Sequence, residues 1–161
     1  MKQLIVFLLA ITVMACSGGG SAAPTPTPNP PTPTVNVSDL VKKVWSVSTA
    51  QWDGVSKYDK SSSSNVVQGY SQYKLDLSTA GSVKLTEFDG KVFTGNYSVA
   101  TDGNSLTLSG LTSSEGAPTG TGGTITYTIL VTPTATTLNL QQTAAYVKAS
   151  SAIVKLSLVN P

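Results

Sequence analysis

The sequence predicts an all-β domain, an eight-stranded antiparallel up-and-down barrel that follows a signal-like N-terminus and a linker. From residue 35 onward, apolar residues alternate with Thr, Ser and Lys, which is the period of a strand with one buried face. Clusters of Gly, Asp, Asn, Ser and Pro divide this region into eight such segments. Closing eight antiparallel strands into a barrel removes the exposed edges, so a barrel is favoured, with a two-sheet sandwich as the alternative.

Residues 1–15 have the features of a bacterial lipoprotein signal peptide. Lys2 precedes an apolar run from Leu4 to Met14, whose length of about 11 residues suits a signal and falls short of the roughly 20 that a spanning helix needs. The segment Val13–Cys16 resembles the lipobox, in which the cysteine is lipidated and becomes the first residue. This resemblance implies membrane attachment through acylated Cys16; secretion after cleavage near Ala15, with a free thiol, is the alternative.

Residues 16–34, which comprise the lipidated Cys16 and a Pro/Thr-rich stretch, are predicted to be a disordered tether. Pro alternates with Thr or Asn from Pro24 to Thr34, which favours an extended spacer on the order of 34 Å long. Ser17 follows Cys16 where lipoproteins retained in the inner membrane of well-studied Gram-negative bacteria carry Asp, so the resemblance implies the outer membrane. The acidic cluster that accompanies surface export in some Bacteroidetes lipoproteins is missing, which favours the periplasmic face over the cell surface.

The domain of residues 35–161 is predicted to begin with a short helical turn at Ser38–Val44, with Ser38 or Asp39 as its N-cap. Asp89-Gly90 predicts a tight type I′ hairpin between the third and fourth strands, because both positions of that turn need a positive φ. The eight predicted strands are Lys43–Ala50, Gly69–Leu77, Ser82–Phe88, Lys91–Val99, Asn104–Gly110, Gly123–Val131, Thr136–Gln142 and Ala152–Leu158.

The predicted connections differ in length between the two ends of the barrel. In a meander, successive connections alternate between ends, which places three long loops at one end and three short ones at the other. The long loops are 51–68, 111–122 and 143–151, and the short ones are 78–81, 100–103 and 132–135. The loop-rich end is the predicted mouth, where small ligands bind in barrels, and both ends of the domain are expected at the closed base.

Several motifs in the segment from Leu40 to Leu140 resemble the lipocalin-like domains of bacterial lipoproteins. They are Val44-Trp45-Ser46 before a long first loop, Tyr-Lys-Leu-Asp-Leu at 73–77, Gly95-Asn96-Tyr97, and Asp-Gly-Asn-Ser-Leu-Thr-Leu at 102–108. The resemblance covers nearly all of the predicted domain. It implies a barrel or partial barrel without a catalytic set, in which Trp45 is the aromatic side chain that fills the base.

The composition argues against an enzyme and against a nucleic-acid binder. The chain has no His, its one cysteine is the acylated Cys16, and no Ser stands in a nucleophile-elbow pattern. A net charge of +2 is far below the strongly positive charge that is typical of nucleic-acid-binding proteins. No cofactor and no metal are expected, because the carboxylates that map to the mouth lack the spacing of a calcium loop; they are Asp53, Asp59, Asp89 and Glu115. We expect a monomer.

Five aromatic residues are the candidate ligand-binding residues. Trp52 and Tyr58 lie in the long first loop and Tyr146 lies in the last one, at the predicted mouth. Exposed there, they would stack on a sugar, a lipid or a partner protein; folded inward, they would form a hydrophobic plug over the mouth. Tyr73 and Tyr127 point inward by strand parity, where they line a cavity or fill it.

Glu87 has the same parity as Val83 and Leu85, which predicts a carboxylate on the inner face near the mouth. The sequence therefore predicts a non-enzymatic, lipid-anchored envelope protein that binds a small apolar or amphipathic ligand at its mouth. The alternative is a ligandless domain that contacts an envelope protein or polymer through its long loops. A cavity lined by Tyr73 and Tyr127 would favour the first function, and a filled core would favour the second.

Overall fold

The structure, a computed structural model, describes residues 35–160. The predicted signal peptide, the predicted lipidation site Cys16 and the predicted tether lie outside the described residues. The described part contains nine strands and three short helical segments. The strands are β1 (Val44–Trp52), β2 (Val55–Asp59), β3 (Lys74–Asp76), β4 (Ser82–Thr86), β5 (Val92–Val99), β6 (Ser105–Thr112), β7 (Ile125–Val131), β8 (Thr137–Gln142) and β9 (Val154–Val159). The helix α1 spans Val37–Val41, and 3-10 helices span Gln68–Gln72 and Val147–Ala149.

Eight of the strands form the predicted closed antiparallel barrel. Sequential neighbours pair from β3 through β9, and β1 pairs with both β3 and β9, which closes the sheet. The seam between β1 and β9 runs from Ser46 opposite Val159 to Trp52 opposite Val154. The all-β, up-and-down barrel is therefore confirmed, and the two-sheet alternative is wrong.

The barrel wall divides at β1, because β1 pairs with β3 toward the base and with the ninth strand, β2, toward the mouth. Val44–Ser46 of β1 pair with β3, whereas the later segment Thr49–Trp52 pairs with β2. Between β2 and β3 the chain forms the 3-10 helix Gln68–Gln72, which contacts β1. The mouth half of the barrel is therefore bounded by a helix and a hairpin on this side rather than by an unbroken strand.

Apolar side chains fill the base half of the barrel, as the alternating pattern predicts. Trp45 is fully buried, and its Nε1 donates a hydrogen bond of 2.8 Å to the carbonyl oxygen of Val41 at the end of α1. Asn160, just after β9, donates its backbone N–H to Thr136 in a short base loop and its side-chain Nδ2 to Val44. The base-filling role expected for Trp45 and the placement of both domain ends at the base are confirmed.

Two predicted element boundaries are wrong. Helix α1 begins at Val37, one residue earlier than predicted, and ends at Val41 rather than Val44; Asn36 is the N-cap, and its side chain accepts a hydrogen bond from the N–H of Ser38. The first half of the predicted strand Gly69–Leu77 is the 3-10 helix, and only Lys74–Asp76 pair as a strand. Gly69 lies so close to Phe88 that a Cβ there would be 1.8 Å from the Phe88 carbonyl oxygen.

The hairpin at Asp89-Gly90 is confirmed, but its predicted type I′ turn is wrong. Only Gly90 has a positive φ, 82°, and the Gly90 N–H donates to the Glu87 carbonyl, so the loop is longer by one residue. The two-residue turn of that type occurs instead at Asp53-Gly54, where φ is 47° and 80° and Trp52 pairs with Val55. This turn creates β2 within the predicted loop 51–68, so that part of the loop prediction is wrong.

Among the helices within residues 35–160, none combines the length and the apolar character that crossing a bilayer requires.

Candidate functional site

Four elements meet at the mouth end of the barrel and position the candidate residues. They are the β1–β2 hairpin, the 3-10 helix Gln68–Gln72, the β4–β5 turn at 87–91 and the loop at 143–153 between β8 and β9, here called the mouth loop. The mouth loop is anchored at its end, where Asp53 accepts a hydrogen bond of 2.9 Å from the N–H of Ile153. It is anchored at its start by the N–H of Thr143, which donates to the carbonyl of Thr126.

The aromatic residues at the mouth form a plug. Tyr58 is 6% exposed and Tyr146 is 5% exposed, so the expectation of exposed stacking surfaces is wrong for these two side chains. Trp52 is half-buried, and its Nε1 donates a hydrogen bond of 2.8 Å to the hydroxyl of Tyr70. The Tyr70 ring packs against Phe88, with 4.9 Å between ring centroids. The aromatic residues of the predicted long first loop therefore fold inward and form a plug over the mouth.

Tyr73 and Tyr127 point into the barrel, as strand parity predicts. Their hydroxyl oxygens lie 3.3 Å apart, and both side chains are buried. Burial raises the pKa of both phenols above the ordinary value, because the charged phenolate would lose its hydration. Both side chains are therefore neutral hydrogen-bonding groups in a polar layer above the apolar base.

Glu87 lies on the inner face near the mouth, as predicted, and is 2% exposed. Tyr146 donates its hydroxyl to one carboxylate oxygen of Glu87, and the Lys148 ammonium binds the other. Lys148 also lies 2.8 Å from the Asp89 carboxylate and 5.3 Å from the centre of the Phe93 ring. The mouth loop thus supplies both partners of a buried carboxylate.

The charges around Lys148 stabilise the ionised groups. Burial lowers the pKa of Lys148, but its hydrogen bonds to Asp89 and Glu87 outweigh this and raise the pKa above the ordinary value. Burial raises the pKa of Asp89, but the hydrogen bonds from Lys148 and from the backbone of Lys91, together with the charges of both lysines, outweigh it and lower that pKa. Burial, together with the hydrogen bond to Glu87, raises the pKa of Tyr146. An ammonium ion on Lys148, a carboxylate on Asp89 and a neutral phenol on Tyr146 are the resulting species.

A small cavity lies beneath the mouth loop. Its free volume is about 10 Å³, which is about the volume that one water molecule needs. Its lining combines polar and apolar side chains, namely Tyr70, Tyr73, Glu87, Phe88, Ile125, Tyr127, Gln142, Tyr146, Val154 and Leu156. The Oε1 atom of Gln142, a side chain only 6% exposed, is buried here without a hydrogen-bond partner.

A surface depression of about 140 Å³ adjoins this cavity. Ile125, Gln142 and Tyr146 line both spaces, so their side chains form the partition between them. The outer rim of the depression comes from Gly120–Thr121 and from Ala144 in the mouth loop. Larger and more open depressions lie elsewhere, on the outer wall around Lys84 and beside α1 at the base.

The mouth carboxylates have separate partners. Asp53 accepts from Ile153, Asp59 accepts from Ser61, Asp89 pairs with Lys148 and Glu115 pairs with Lys91. Within the part of the chain that the structure describes, no three His, Cys, Asp or Glu residues come together as metal ligands would.

The structure brings three of the five candidate aromatics to the cavity, namely Tyr73, Tyr127 and Tyr146, whereas Trp52 and Tyr58 contact it through Tyr70. Sequence analysis missed Tyr70, Gln142 and Lys148 as site residues. Gln142 alternates with Leu138 and Leu140 on the buried face of β8, so a polar residue in an apolar alternation was the available signal. Lys148 carried no such signal, because its partner Glu87 is 61 residues away.

The chain matches none of the known protein-family models and none of the curated protein sequences. Two solved structures are similar to it. A lipocalin-like protein from Bacteroides uniformis ATCC 8492 is 17% identical, with coverage of 76% of this chain and 99% of that one and a TM-score of 0.48. An uncharacterized protein from Bacteroides eggerthii DSM 20697 is 13% identical, with coverage of 74% and 98% and a TM-score of 0.44.

Proposed function

We propose that the barrel binds a small amphipathic ligand at its mouth and catalyses no reaction on it. In this proposal the acylated Cys16 holds the domain at the outer membrane, on the periplasmic face, and residues 17–34 are the spacer. The observation that carries the binding function is the cavity with its unpartnered acceptor, the Oε1 atom of Gln142. A buried acceptor without a partner costs about 1–3 kcal/mol, and a hydrogen-bond donor bound in the cavity would recover this free energy.

The polar layer at the mouth adds support. The base half of the barrel is packed with apolar side chains, whereas the mouth half buries Glu87, Gln142 and five tyrosines. Buried polar groups at one end of a barrel, next to loops, match the lining of ligand sites, in which a few polar groups orient an otherwise apolar ligand. The apolar side chains of Ile125, Val154 and Leu156 complete such a lining.

The size of the cavity requires the mouth loop to move. Pockets for small organic ligands measure about 300–1,000 Å³, far more than the space beneath the closed loop. Two residues of the loop, Ser150 and Ser151, have positive φ values of 57° and 59°, and each costs roughly 1 kcal/mol for a residue other than Gly. This strain lowers the free energy needed to displace the loop and to join the cavity to the surface depression.

The same small size favours a second candidate function. A filled barrel is what a ligandless interaction domain requires, and several apolar side chains on β2 and on the long loops are exposed, among them Val55, Val66 and Val147. Such a domain would contact an envelope protein or polymer through these loops.

Native mass spectrometry on the full chain, purified in detergent from its own envelope, tests the proposal. We expect a non-covalent adduct of a few hundred daltons that is lost on denaturation. The variant Gln142→Met should retain less of it, whereas Gln141→Met, on the neighbouring position of β8, should retain as much as the unchanged chain. A bare mass, repeated after incubation with a total lipid extract of the envelope, would contradict ligand binding and favour the interaction domain.

A further inference from the structure

We propose that the ligand carries an organic ammonium group, which takes the place of the Lys148 ammonium between Glu87, Asp89 and the Phe93 ring. This inference rests on the proposed binding function and names the chemical class of its ligand. In the closed state Lys148 acts as an internal occupant of the site.

The first argument is that the barrel wall provides no partner for the Glu87 carboxylate. Among the described residues, both of its hydrogen-bond partners, Tyr146 and Lys148, belong to the mouth loop. A ligand that displaces this loop and covers Glu87 in its place leaves the buried carboxylate without its counter-charge unless the ligand supplies one. Removing one partner of a buried ion pair is strongly destabilising, so a ligand that displaces the loop has to supply a positive charge itself.

The second argument is the geometry already present around Lys148 Nζ. Its side chain is 14% exposed and contacts two carboxylates, with the Asp89 oxygen at 2.8 Å. The Phe93 ring centre lies 5.3 Å away, within the range of a cation–π interaction. Two anions and an aromatic face are the features that recognise an alkylammonium group, and the chain places its own alkylammonium there.

The third argument is the pair of acceptors, Gln142 Oε1 and the Glu87 carboxylate, that border the adjoining cavity. The Oε1 atom of Gln142 is buried and unpartnered, and the Glu87 carboxylate loses both donors when the mouth loop moves. Both groups call for a ligand that donates hydrogen bonds. An anionic ligand would meet the Glu87 charge in a poorly solvated site and is therefore excluded.

The apolar part of the ligand follows from the remaining lining. Ile125, Val154 and Leu156 border the cavity beside the rings of Tyr73 and Tyr127. A short alkyl or aryl group attached to the ammonium would contact these side chains once the loop has moved. A primary amine with an apolar body is thus the class that the geometry selects.

Isothermal titration of the full chain in detergent with n-hexylammonium tests the inference. n-Hexanol and hexanoate are the probes of equal length with no charge and with the opposite charge. Lys148→Ala removes the internal occupant, so hexylammonium should bind this variant about tenfold or more tightly than the unchanged chain, because no fraction of the site is self-occupied. Lys42→Ala, which breaks the Lys42–Asp39 ion pair at the base, is the matched control and should bind like the unchanged chain.

Two further measurements keep the test decisive if Lys148→Ala does not fold. Lys148→Met retains an apolar stem over Phe93 and lacks the charge, so it should show the same gain in affinity. In the unchanged, 15N-labelled chain, saturating unlabelled hexylammonium should move the NMR signal of the Lys148 ammonium toward that of a solvent-exposed lysine and leave the Lys42 signal in place, because the ligand displaces Lys148. An unchanged Lys148 signal would overturn the inference.

The outcomes separate the inference from the function on which it rests. If hexanol or hexanoate binds as tightly as hexylammonium, or if Lys148→Ala brings no gain, the ammonium class is wrong while ligand binding stands. If none of the three probes binds and native mass spectrometry finds a bare mass, the inference and the proposed function both fail.

Discussion

The indole nitrogen of Trp52 lies 2.8 Å from the hydroxyl oxygen of Tyr70 and donates a hydrogen bond to it. Trp52 ends β1 beside the Asp53-Gly54 turn, and Tyr70 lies in the 3-10 helix that spans the gap between β2 and β3. This bond therefore joins the two elements at the place where the barrel wall divides. Burial raises the pKa of the Tyr70 phenol, so its hydroxyl stays neutral at the junction.

Replacement of either partner should destabilise the domain. We expect Trp52→Phe and Tyr70→Phe each to lower the free energy of unfolding by about 1–2 kcal/mol, with a coupling energy of about 1 kcal/mol in the double variant. Urea denaturation of the two single variants and the double variant measures this. Tyr58→Phe in combination with Trp52→Phe is the control, and its effects should be additive. Additive effects for the Trp52–Tyr70 pair would contradict the structural importance of this hydrogen bond.

Gly69 allows the 3-10 helix to lie against the β4–β5 turn. A Cβ at this position would be 1.8 Å from the backbone oxygen of Phe88 and 2.9 Å from its carbonyl carbon. We expect Gly69→Ala to lower the free energy of unfolding by about 2 kcal/mol or more, because backbone atoms cannot yield as a flexible side chain can. Gly81→Ala, where a Cβ meets open space and only the φ of 74° is unfavourable, should cost about 1 kcal/mol. Thermal unfolding of both variants compares them, and equal losses would refute the steric explanation.

Gln142 should contribute little to stability. Because its Oε1 atom has no partner in the closed state, we expect Gln142→Met to leave the free energy of unfolding unchanged or to raise it by up to about 1 kcal/mol. The measurement is guanidinium denaturation of ligand-free protein, with Gln141→Met as the control on the same strand. A loss of about 2 kcal/mol or more would mean that Gln142 is a structural residue rather than part of a binding site.

Alkaline pH should unfold the domain steeply. The pKa values of Tyr70, Tyr73, Tyr127 and Tyr146 are raised in the folded state, with burial as the largest cause. A raised folded pKa contributes stability that is fully present below the unfolded value near 10 and is lost as the pH rises above it. Each phenol that stays protonated removes about 1.4 kcal/mol of stability per pH unit in this window.

Absorbance of tyrosinate measures this directly. At pH 11 the folded chain should ionise about four fewer of its six tyrosines than the same chain in guanidinium. Tyr73→Phe should reduce the difference by one phenol and make the stability decline less steeply. Coincident titrations of the folded and the unfolded chain would contradict the burial of these hydroxyls.

Strand periodicity was sufficient to predict the barrel and the direction of several site residues. A one-residue shift would turn every side chain to the other face, so the alternation around Tyr73, Glu87 and Tyr127 determined which side they occupy. Two of the three Asp-Gly dipeptides in the sequence show what this kind of inference cannot predict. Asp53-Gly54 forms the tight turn and Asp89-Gly90 does not, because the pairing of the flanking strands, rather than the dipeptide, decides the loop length.

The plug and the ion pairs of the mouth could not be predicted from local pattern. Lys148 meets Glu87 across 61 residues, and Tyr146 meets it across 59. Such contacts depend on how two loops fold over the same opening. The buried Gln142 in an apolar alternation was visible in the sequence, and it could have indicated the polar layer of the barrel.

The seam between β1 and β9 sets the order in which the domain can become complete. Ser48 donates its hydroxyl to the carbonyl of Ser157 across 109 residues, while the remaining strands of the barrel pair with their neighbours in sequence. Each hairpin can therefore form as soon as its second strand is available. Closing the ring costs the conformational entropy of the long chain between β1 and β9, so this step should make folding slow. Until β9 pairs with it, β1 presents an open edge, and this edge can pair with strands of other molecules.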